Sequence, residues 1–357
     1  MLITRRGIGL GATALAAASV LGPVAVAAER KVVSPALDPA TLVHPELREM
    51  VKIFTERMPN RPPFTAESLA TARTFSKNFV PKPLPTPAIE EKLIPGRAGA
   101  PEVKVFVIGA KTDGKPRPAV VFIHGGGYIL GSAMGEIVSA QSLAAELDCL
   151  VVSVDYRLAP ETKFPGSLDD NYAALQWLYS NAETLGVDKK RIAVVGGSAG
   201  GGQAAVLAIA ARDRGEIPLC YQVLIYPMLD DRTGSTRMPP PFIGTYNWKA
   251  GDNKYGWTAL LGVPAGSSSV PKGAVPARVE DLSGLPPAFI GVGTLDLFAE
   301  EDMAYAQRLV HAGVPTKLLV VPGAIHGFDQ MAAQTRIAKE FTTAWRSELS
   351  ARFAALE

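Results

Sequence analysis

The feature that most constrains this chain is an apolar run that enters the pattern G-x-S-x-G at Gly196 and continues into a second apolar segment. A strand that turns at once into a helix crowds its backbone at the turn, so residues without side chains are needed there. Gly196 and Gly200 meet that need, and Ser198 is left at the apex with its hydroxyl exposed. The pattern predicts a strand–turn–helix unit with Ser198 as a candidate nucleophile.

A nucleophilic serine needs a base, and the chain has four histidines from which to choose. In hydrolases built around such a turn, the base follows the acid late in the chain. His326 fits that order, because it lies in a loop directly after the apolar run 317–321. His311 falls in the last turn of an amphipathic segment, where an imidazole commonly interacts with the helix C-terminus. His44 belongs to an N-terminal helical segment, so His326 is the predicted base.

The acid that orients the base should follow the preceding apolar strand. The run 287–295 ends in a turn with one carboxylate, Asp296, which we select. Three more acids follow at 300–302, and we interpret them as the acidic first turn of a helix, where carboxylates favour the positive end of the helix dipole. Glu300 or Glu301 is the alternative acid.

Donors for an oxyanion are expected after the apolar run 120–123. Successive glycines follow it directly, and they allow the backbone to bend so that N–H groups point into the site. Ala199, the residue after the serine, would supply a further amide. We interpret His124, before the glycines, as a brace for the loop and not as a base. The glycines are Gly125, Gly126 and Gly127.

Four segments of the chain together resemble the hormone-sensitive-lipase-like carboxylesterases (bacterial esterase family IV) of the α/β-hydrolase fold. They are H-G-G-G at 124–127, D-Y-R-L-A-P-E at 155–161, G-G-S-A-G-G at 196–201 and H-G-F at 326–328. The resemblance covers residues 40–350 approximately and implies a cofactor-free serine carboxylesterase that acts on small or short-acyl esters. The site residues that it implies are Ser198 as nucleophile, His326 as base, Asp296 as orienting acid, the amides of Gly126, Gly127 and Ala199 as the oxyanion hole, and Gly125 as a residue that shapes the turn.

The chain departs from the family pattern at two places. The family usually has Asp or Thr where this chain has Gly197, and it usually has Pro-Leu-Arg-Asp-Glu after the acid, where this chain has Leu-Phe-Ala-Glu-Glu at 297–301. Neither change removes a catalytic group, so we expect activity.

Apolar strands alternate with helical segments from residue 119 to residue 226, which predicts a mostly parallel sheet covered by helices on both faces. The resemblance implies an eight-stranded α/β-hydrolase sheet with a helical cap. The runs 89–94 and 103–108 alternate with period two and predict an antiparallel edge pair. The predicted organisation is an export signal at 1–28, an N-terminal cap segment at 29–86, and a catalytic domain at 87–357 with a cap insertion at about 228–286.

Aromatic residues in the predicted insertion are candidates for a substrate pocket. Those in the Pro/Gly-flanked loop are favoured over Tyr255 and Trp257, for which core packing explains the sequence equally well. The predicted pocket residues of the insertion are Phe242, Tyr246, Trp248 and also Met238, and Tyr128 after the glycine loop is a further candidate.

The two cysteines, Cys149 and Cys220, each stand at the start of an apolar strand. In the family's strand order two other strands lie between them, which is a separation of about 14 Å. A disulfide needs Cα atoms within about 7 Å, so we predict two free, buried thiols.

The N-terminal segment predicts export. Arg5 and Arg6 precede a mildly apolar stretch that contains Pro23 and ends in an A-x-A pattern at 25–27. These features favour a twin-arginine signal over a Sec signal, and they favour a retained membrane anchor least. We therefore expect a periplasmic or secreted protein with no stable membrane anchor after signal removal.

The 36 basic and 34 acidic residues nearly balance, so nothing in the charge suggests nucleic acid as a partner. We find no dinucleotide-binding fingerprint and no spacing of Cys and His residues typical of metal ligands. We expect a small ester as the substrate. The sequence does not decide between a monomer and a homodimer. A lactonase, an amidase or arylformamidase, or a carbohydrate deacetylase would use the same residues. A non-catalytic binder is least favoured, because Ser198 and His326 are both retained.

Overall fold

A single sheet of eight strands organises the computed structural model, which describes residues 38–57, 61–111 and 114–357. The strands are β1 (Ile89–Ile94), β2 (Val103–Ile108), β3 (Arg117–Ile123), β4 (Leu150–Asp155), β5 (Val187–Gly197), β6 (Tyr221–Ile225), β7 (Ala288–Gly293) and β8 (Thr316–Val321).

The strand order across the sheet is β1-β2-β4-β3-β5-β6-β7-β8. β2 pairs antiparallel with both β1 and β4, and all other neighbours are parallel. The predicted antiparallel edge pair and the mostly parallel sheet are both confirmed. The central strands are buried on both faces, as expected for parallel strands that lie between two layers of helices.

Helices cover both faces and the carboxyl end of the sheet. α5, α6 and α8 share one apolar core with one face, while α4 and α10 share another core with the opposite face. Within the described ranges, no helix is long and apolar enough to cross a membrane. The α-helices are α1 (Pro39–Leu42), α2 (Arg48–Arg57), α3 (Ala66–Lys77), α4 (Ile137–Glu146), α5 (Gly166–Ser180), α6 (Ala199–Arg214), α7 (Ala250–Leu261), α8 (Ala299–His311), α9 (Phe328–Met331) and α10 (Arg336–Ala354), and short 3-10 helices span Pro45–Leu47, Arg97–Gly99, Ala133–Glu136 and Pro276–Arg278.

A third apolar cluster joins α3 to the segment that follows β6. It includes Leu69 from α3 and Trp257 from α7, and it reaches Ala199 at the start of α6. A buried carboxylate, Asp252, strengthens the same junction by accepting bonds from the Arg61 guanidinium and from the N–H of Phe64. These two stretches, both predicted to belong to the cap, therefore pack together, while the predicted export signal lies outside the described residues.

The two cysteines are free and buried, as predicted. Cys149 directly precedes β4 and Cys220 directly precedes β6. β3 and β5 lie between those strands, so the two thiols stand too far apart to form a disulfide.

Candidate active site

Ser198 lies at the sharp turn between β5 and α6, with backbone angles φ 57° and ψ −125°. Its N–H donates to the carbonyl of Ile225 on β6 at 2.9 Å, which ties the turn to the sheet. A side chain at Gly196 would overlap the backbone of Gly200, and one at Gly200 would overlap the backbone at the end of β3. Close packing of strand against helix therefore requires the two glycines that the motif supplies.

His326 joins Ser198 to Asp296 through two hydrogen bonds. Its Nε2 lies 2.9 Å from Ser198 Oγ, and its Nδ1 lies 2.8 Å from Asp296 Oδ2. A carboxylate only accepts hydrogen bonds, so it selects the tautomer with the proton on Nδ1 and leaves Nε2 free to accept the serine proton. The structure thus brings together the three residues that the sequence predicted as nucleophile, base and acid.

The imidazole of His326 is fixed on several sides. The rings of Tyr226 and Phe298 meet it edge-on, with centroids 4.8 and 5.1 Å away. Asn247 Nδ2 donates to the His326 carbonyl at 3.0 Å. The N–H of Phe298 also donates to Asp296 Oδ1 at 3.0 Å, so the stretch that departs from the family pattern holds the acid in place.

The alternative acids point elsewhere. Glu300 is exposed on α8, whereas Glu301 is buried and accepts the N–H groups of Leu229 and Asp230 at 2.6 and 3.1 Å. Burial raises the pKa of Glu301 well above its ordinary value. Asp296 is therefore the acid that contacts the imidazole.

The glycine loop after β3 presents backbone donors beside Ser198. Gly126 and Gly127 adopt positive φ angles of 119° and 60°, and both line the same cavity as the serine. Among the described residues, the N–H groups of Gly126, Gly127 and Ala199 have no protein acceptor. The N–H of Gly125 is different, because it donates to Glu136 Oε1 at 2.8 Å and so is not a free donor. Free N–H groups beside a nucleophile can stabilise a developing oxyanion.

His124 braces this loop, as its position in the sequence suggested. Its Nδ1 donates to the Gly125 carbonyl at 2.7 Å, its ring stacks on Tyr156 at 4.3 Å, and Tyr156 donates its hydroxyl to the His124 carbonyl at 3.0 Å. Burial lowers the pKa of His124, which keeps the ring neutral. The ring makes no hydrogen bond to Ser198.

A cavity of about 800 Å³ opens in front of Ser198 and His326. It falls within the range of small-molecule sites, roughly 300–1,000 Å³. Much of its wall comes from α2, α3 and the segment between them, which the sequence indicated as cap without naming pocket residues. The larger apolar lining residues include Phe54, Phe64, Phe75, Leu130, Trp248 and Met331.

Of the five predicted pocket residues, Trp248 lines the cavity and the other four do not. Tyr128 is buried beneath the glycine loop, where its hydroxyl donates to the Met228 carbonyl at 2.8 Å. Met238 is 67% exposed, and Phe242 and Tyr246 pack into the core on one face of the sheet. The loop has no periodicity from which the direction of these side chains could be inferred.

Glu136 is a residue of this site that the sequence analysis missed. It ends the 3-10 helix Ala133–Glu136, lines the cavity, and holds the Gly125 N–H. Burial raises its pKa to about 7, and the charge of Asp329 acts in the same direction. The one feature of the sequence that could have indicated its role is an acidic residue within an otherwise apolar stretch.

In the part of the chain that the structure describes, no group of three or more His, Cys, Asp or Glu side chains is placed to hold a metal ion.

Comparison with known proteins gives consistent matches. A family model of the alpha/beta hydrolase fold matches residues 120–330. The carboxylesterase NlhH of Mycobacterium tuberculosis is 36% identical over 310 residues, which are 85% of this chain and 95% of that protein. A bacterial heroin esterase superposes with a TM-score of 0.80 at 32% identity, covering 88% of this chain and 99% of that one. The esterase of the archaeon Pyrobaculum calidifontis superposes with a TM-score of 0.74 at 33% identity, covering 87% and 98%.

Proposed function

The chain belongs to the hormone-sensitive-lipase-like carboxylesterases of the alpha/beta hydrolase fold, and from this premise we propose that it hydrolyses small or short-acyl esters through Ser198, His326 and Asp296. The observation that carries the proposal is the continuous hydrogen-bonded chain from Ser198 Oγ through the imidazole to the Asp296 carboxylate, both links being below 3 Å.

The geometry supports an acyl-enzyme mechanism. Ser198 Oγ attacks the ester carbonyl while its proton passes to His326 Nε2. The carbonyl oxygen becomes an oxyanion, which the N–H groups of Gly126, Gly127 and Ala199 stabilise. His326 then gives its proton to the departing alkoxide, and the acyl group remains on Ser198. Water, deprotonated by the same imidazole, attacks the acyl-enzyme. The bond between the acyl carbon and Ser198 Oγ then breaks, the imidazolium returns its proton to Ser198 Oγ, and the carboxylic acid leaves. Asp296 holds the tautomer and stabilises the imidazolium throughout.

The lining of the cavity supports apolar acyl or aryl esters as substrates. The exposed surface of the wall is mostly apolar, and Arg61 and Glu136 are the charged residues among those that line it in the described ranges. Uncharged polar side chains on the wall include Ser68, Thr71, Ser76, Asn247 and Gln330. A carbohydrate ester would need more polar partners for its hydroxyl groups, because each unsatisfied polar group costs binding free energy.

Hydrolysis of p-nitrophenyl esters, from acetate to laurate, by the protein and by Ser198→Ala tests the proposal. We expect activity that falls with chain length and that the substitution abolishes. Equal activity in both proteins would remove Ser198 from the mechanism. If the intact protein left every ester unhydrolysed, a parallel panel of lactones, aryl amides and acetylated sugars would assign the same residues to one of those reactions.

We also propose that the protein reaches the periplasm or the medium by twin-arginine export, on the support of the N-terminal sequence alone. Cleavage is expected near Ala27, and replacing both Arg5 and Arg6 by lysine should leave the precursor uncleaved inside the cell. N-terminal sequencing of the exported protein measures the first expectation. Normal export of the double-lysine variant would favour the Sec route.

A further inference from the structure

Glu136 contacts the oxyanion loop at Gly125, next to the nucleophile. Its Oε1 accepts the Gly125 N–H at 2.8 Å. A methyl group added to Gly125 would stand 3.3 Å from Ser198 Cβ and 3.5 Å from the same Oε1. Both the nucleophile and the carboxylate therefore pack closely against Gly125.

Both polar groups of Gly125 are held by side chains. Glu136 holds the N–H, and the Nδ1 of His124 holds the carbonyl at 2.7 Å. A peptide unit is planar, so fixing the Gly125 carbonyl also fixes the direction of the Gly126 N–H at the other end of the same unit. Glu136 fixes the preceding peptide unit, and the two bonds together leave the loop little freedom to turn its donors away from Ser198.

Gly197 opens space next to this carboxylate. A second cavity of about 490 Å³ lies beside the first, and Glu136, Gly197 and Gln330 line both. A Cβ at position 197 would meet Tyr226 at 3.7 Å, an ordinary contact, so the surroundings do not themselves demand a glycine. The side chain that the family usually carries at this position is absent here, and Glu136 provides a carboxylate within the same pair of cavities.

We propose that Glu136 is a positioning residue for the oxyanion loop, which it holds through the Gly125 N–H; the proposal rests on the esterase mechanism given above.

The surroundings of Glu136 make the strength of its hydrogen bond with the Gly125 N–H dependent on pH. Within the described residues no cation bonds to it, and its pKa is raised to about 7, first by burial and then by Asp329. Above that pH the ionised carboxylate accepts a charge-assisted hydrogen bond, which is about twice as strong as a neutral one. Below it the protonated carboxyl holds the loop more weakly.

Several charged or titratable groups face Glu136 from neighbouring elements. Asp329 on α9 accepts the Tyr226 hydroxyl at 2.7 Å, and Tyr156 after β4 lies close enough to feel the charge of Glu136. Ser198 and His326 share the first cavity with it. The wall of the second cavity adds Lys339, Arg346 and Glu146, of which the last two pair with each other.

Steady-state kinetics of Glu136→Gln and Glu136→Ala on p-nitrophenyl acetate test the proposal. Alanine removes the acceptor, so we expect kcat to fall about 10- to 100-fold with KM nearly constant, as for a misplaced catalytic group. Glutamine keeps an oxygen that can accept the Gly125 N–H and should restore most of that loss. Ser139→Ala, one turn along on the wall of the second cavity, is the matched control and should match the parent protein.

The ratio of kcat between the parent protein and Glu136→Gln gives a second readout that a merely structural role would not move. Effects of pH that are common to both proteins cancel in the ratio. We expect the ratio to exceed 1 at about pH 9 and to fall toward 1 as the pH drops through about 7. Binding of a trifluoromethyl ketone, which forms an oxyanion on the serine, should weaken in Glu136→Ala by the same factor as kcat/KM.

An unchanged kcat in Glu136→Ala, or a ratio that does not vary with pH, would overturn the positioning role. Ser198→Ala separates this failure from failure of the esterase mechanism. If the parent protein hydrolyses esters and Ser198→Ala does not, the mechanism stands whatever the Glu136 variants do.

Discussion

Replacing Glu136 by glutamine should make the folded protein more stable above neutral pH and leave its stability unchanged in acid. The structure raises the pKa of this carboxyl from the ordinary 4.5 to about 7, mainly by burial. A raised pKa means that the folded state holds the proton more tightly than the unfolded chain does. The carboxyl therefore destabilises the fold as the pH rises from 4.5 toward 7, and the full effect persists above that value.

The magnitude follows from the same two values. They differ by about 2.5 pH units, and each unit corresponds to about 1.36 kcal/mol. Ionised Glu136 therefore costs the fold at most about 3 kcal/mol at alkaline pH, because the side chain is only half-buried and lines two cavities. Glutamine matches the protonated carboxyl in shape and never ionises. The difference in the free energy of unfolding should grow between pH 5 and 7 approximately and then level off.

Urea unfolding of the parent protein, Glu136→Gln and Ser139→Ala at a series of pH values measures this difference, since urea leaves the protein's charges unscreened. The buried acids that do not interact with Glu136 are common to all three proteins and cancel in the comparison. A stability gain that is the same at every pH, or a loss at alkaline pH, would refute the reasoning and would mean that the carboxylate is solvated in the folded state.

Three further outcomes follow from the site. Asp296→Asn should lower kcat about 10³- to 10⁴-fold in steady-state assays, because an amide does not hold the required tautomer of His326; a loss below tenfold would contradict this. Gly127→Ala should lower kcat/KM at least about 100-fold, since the residue has φ +60° and its new side chain would overlap the Trp248 ring; normal kinetics would show that the loop adapts. Phe75→Ala removes an apolar, half-exposed side chain from the cavity wall. The lost contact is worth about 1 kcal/mol, so kcat/KM for the octanoate ester should fall about fivefold while kcat/KM for the acetate ester is unchanged. Equal losses on both esters would show that Phe75 does not contact the acyl chain.

The fold and the sharp turn that carries Ser198 could be predicted from the sequence because the patterns that specify them are local. An apolar strand, a turn that tolerates no side chains and an apolar helix occupy one continuous stretch at 187–214. The positions of His326 and Asp296 followed from the same rule, because each comes directly after a strand and the carboxyl ends of parallel strands meet at one edge of the sheet. In the structure His326 lies within hydrogen-bond distance of both Ser198 and Asp296, as the predicted roles require.

The lining of the cavity could not be predicted in the same way. α3 presents Leu69 to an apolar cluster and Phe75 to the cavity, and the sequence of an amphipathic helix does not distinguish these two destinations. In the loop after β6, Tyr246 and Trp248 are two residues apart, yet one packs in the core and the other lines the cavity. Without a regular backbone, side-chain direction depends on tertiary contacts that the sequence does not encode locally.

Glu136 and Gly197 show how a departure from a family pattern acquires meaning in three dimensions. Considered alone, the glycine at 197 indicates a lost side chain beside the nucleophile, and the glutamate at 136 indicates a helix start. The fold brings both to the boundary of two cavities, 61 residues apart in the chain. A half-buried carboxylate without a cation partner lowers the stability of a fold, and proteins retain such destabilising groups where activity needs them. The hydrogen bond to Gly125 is the contribution to activity that we propose for Glu136. It holds a loop whose N–H donors must already point toward Ser198 before the oxyanion forms.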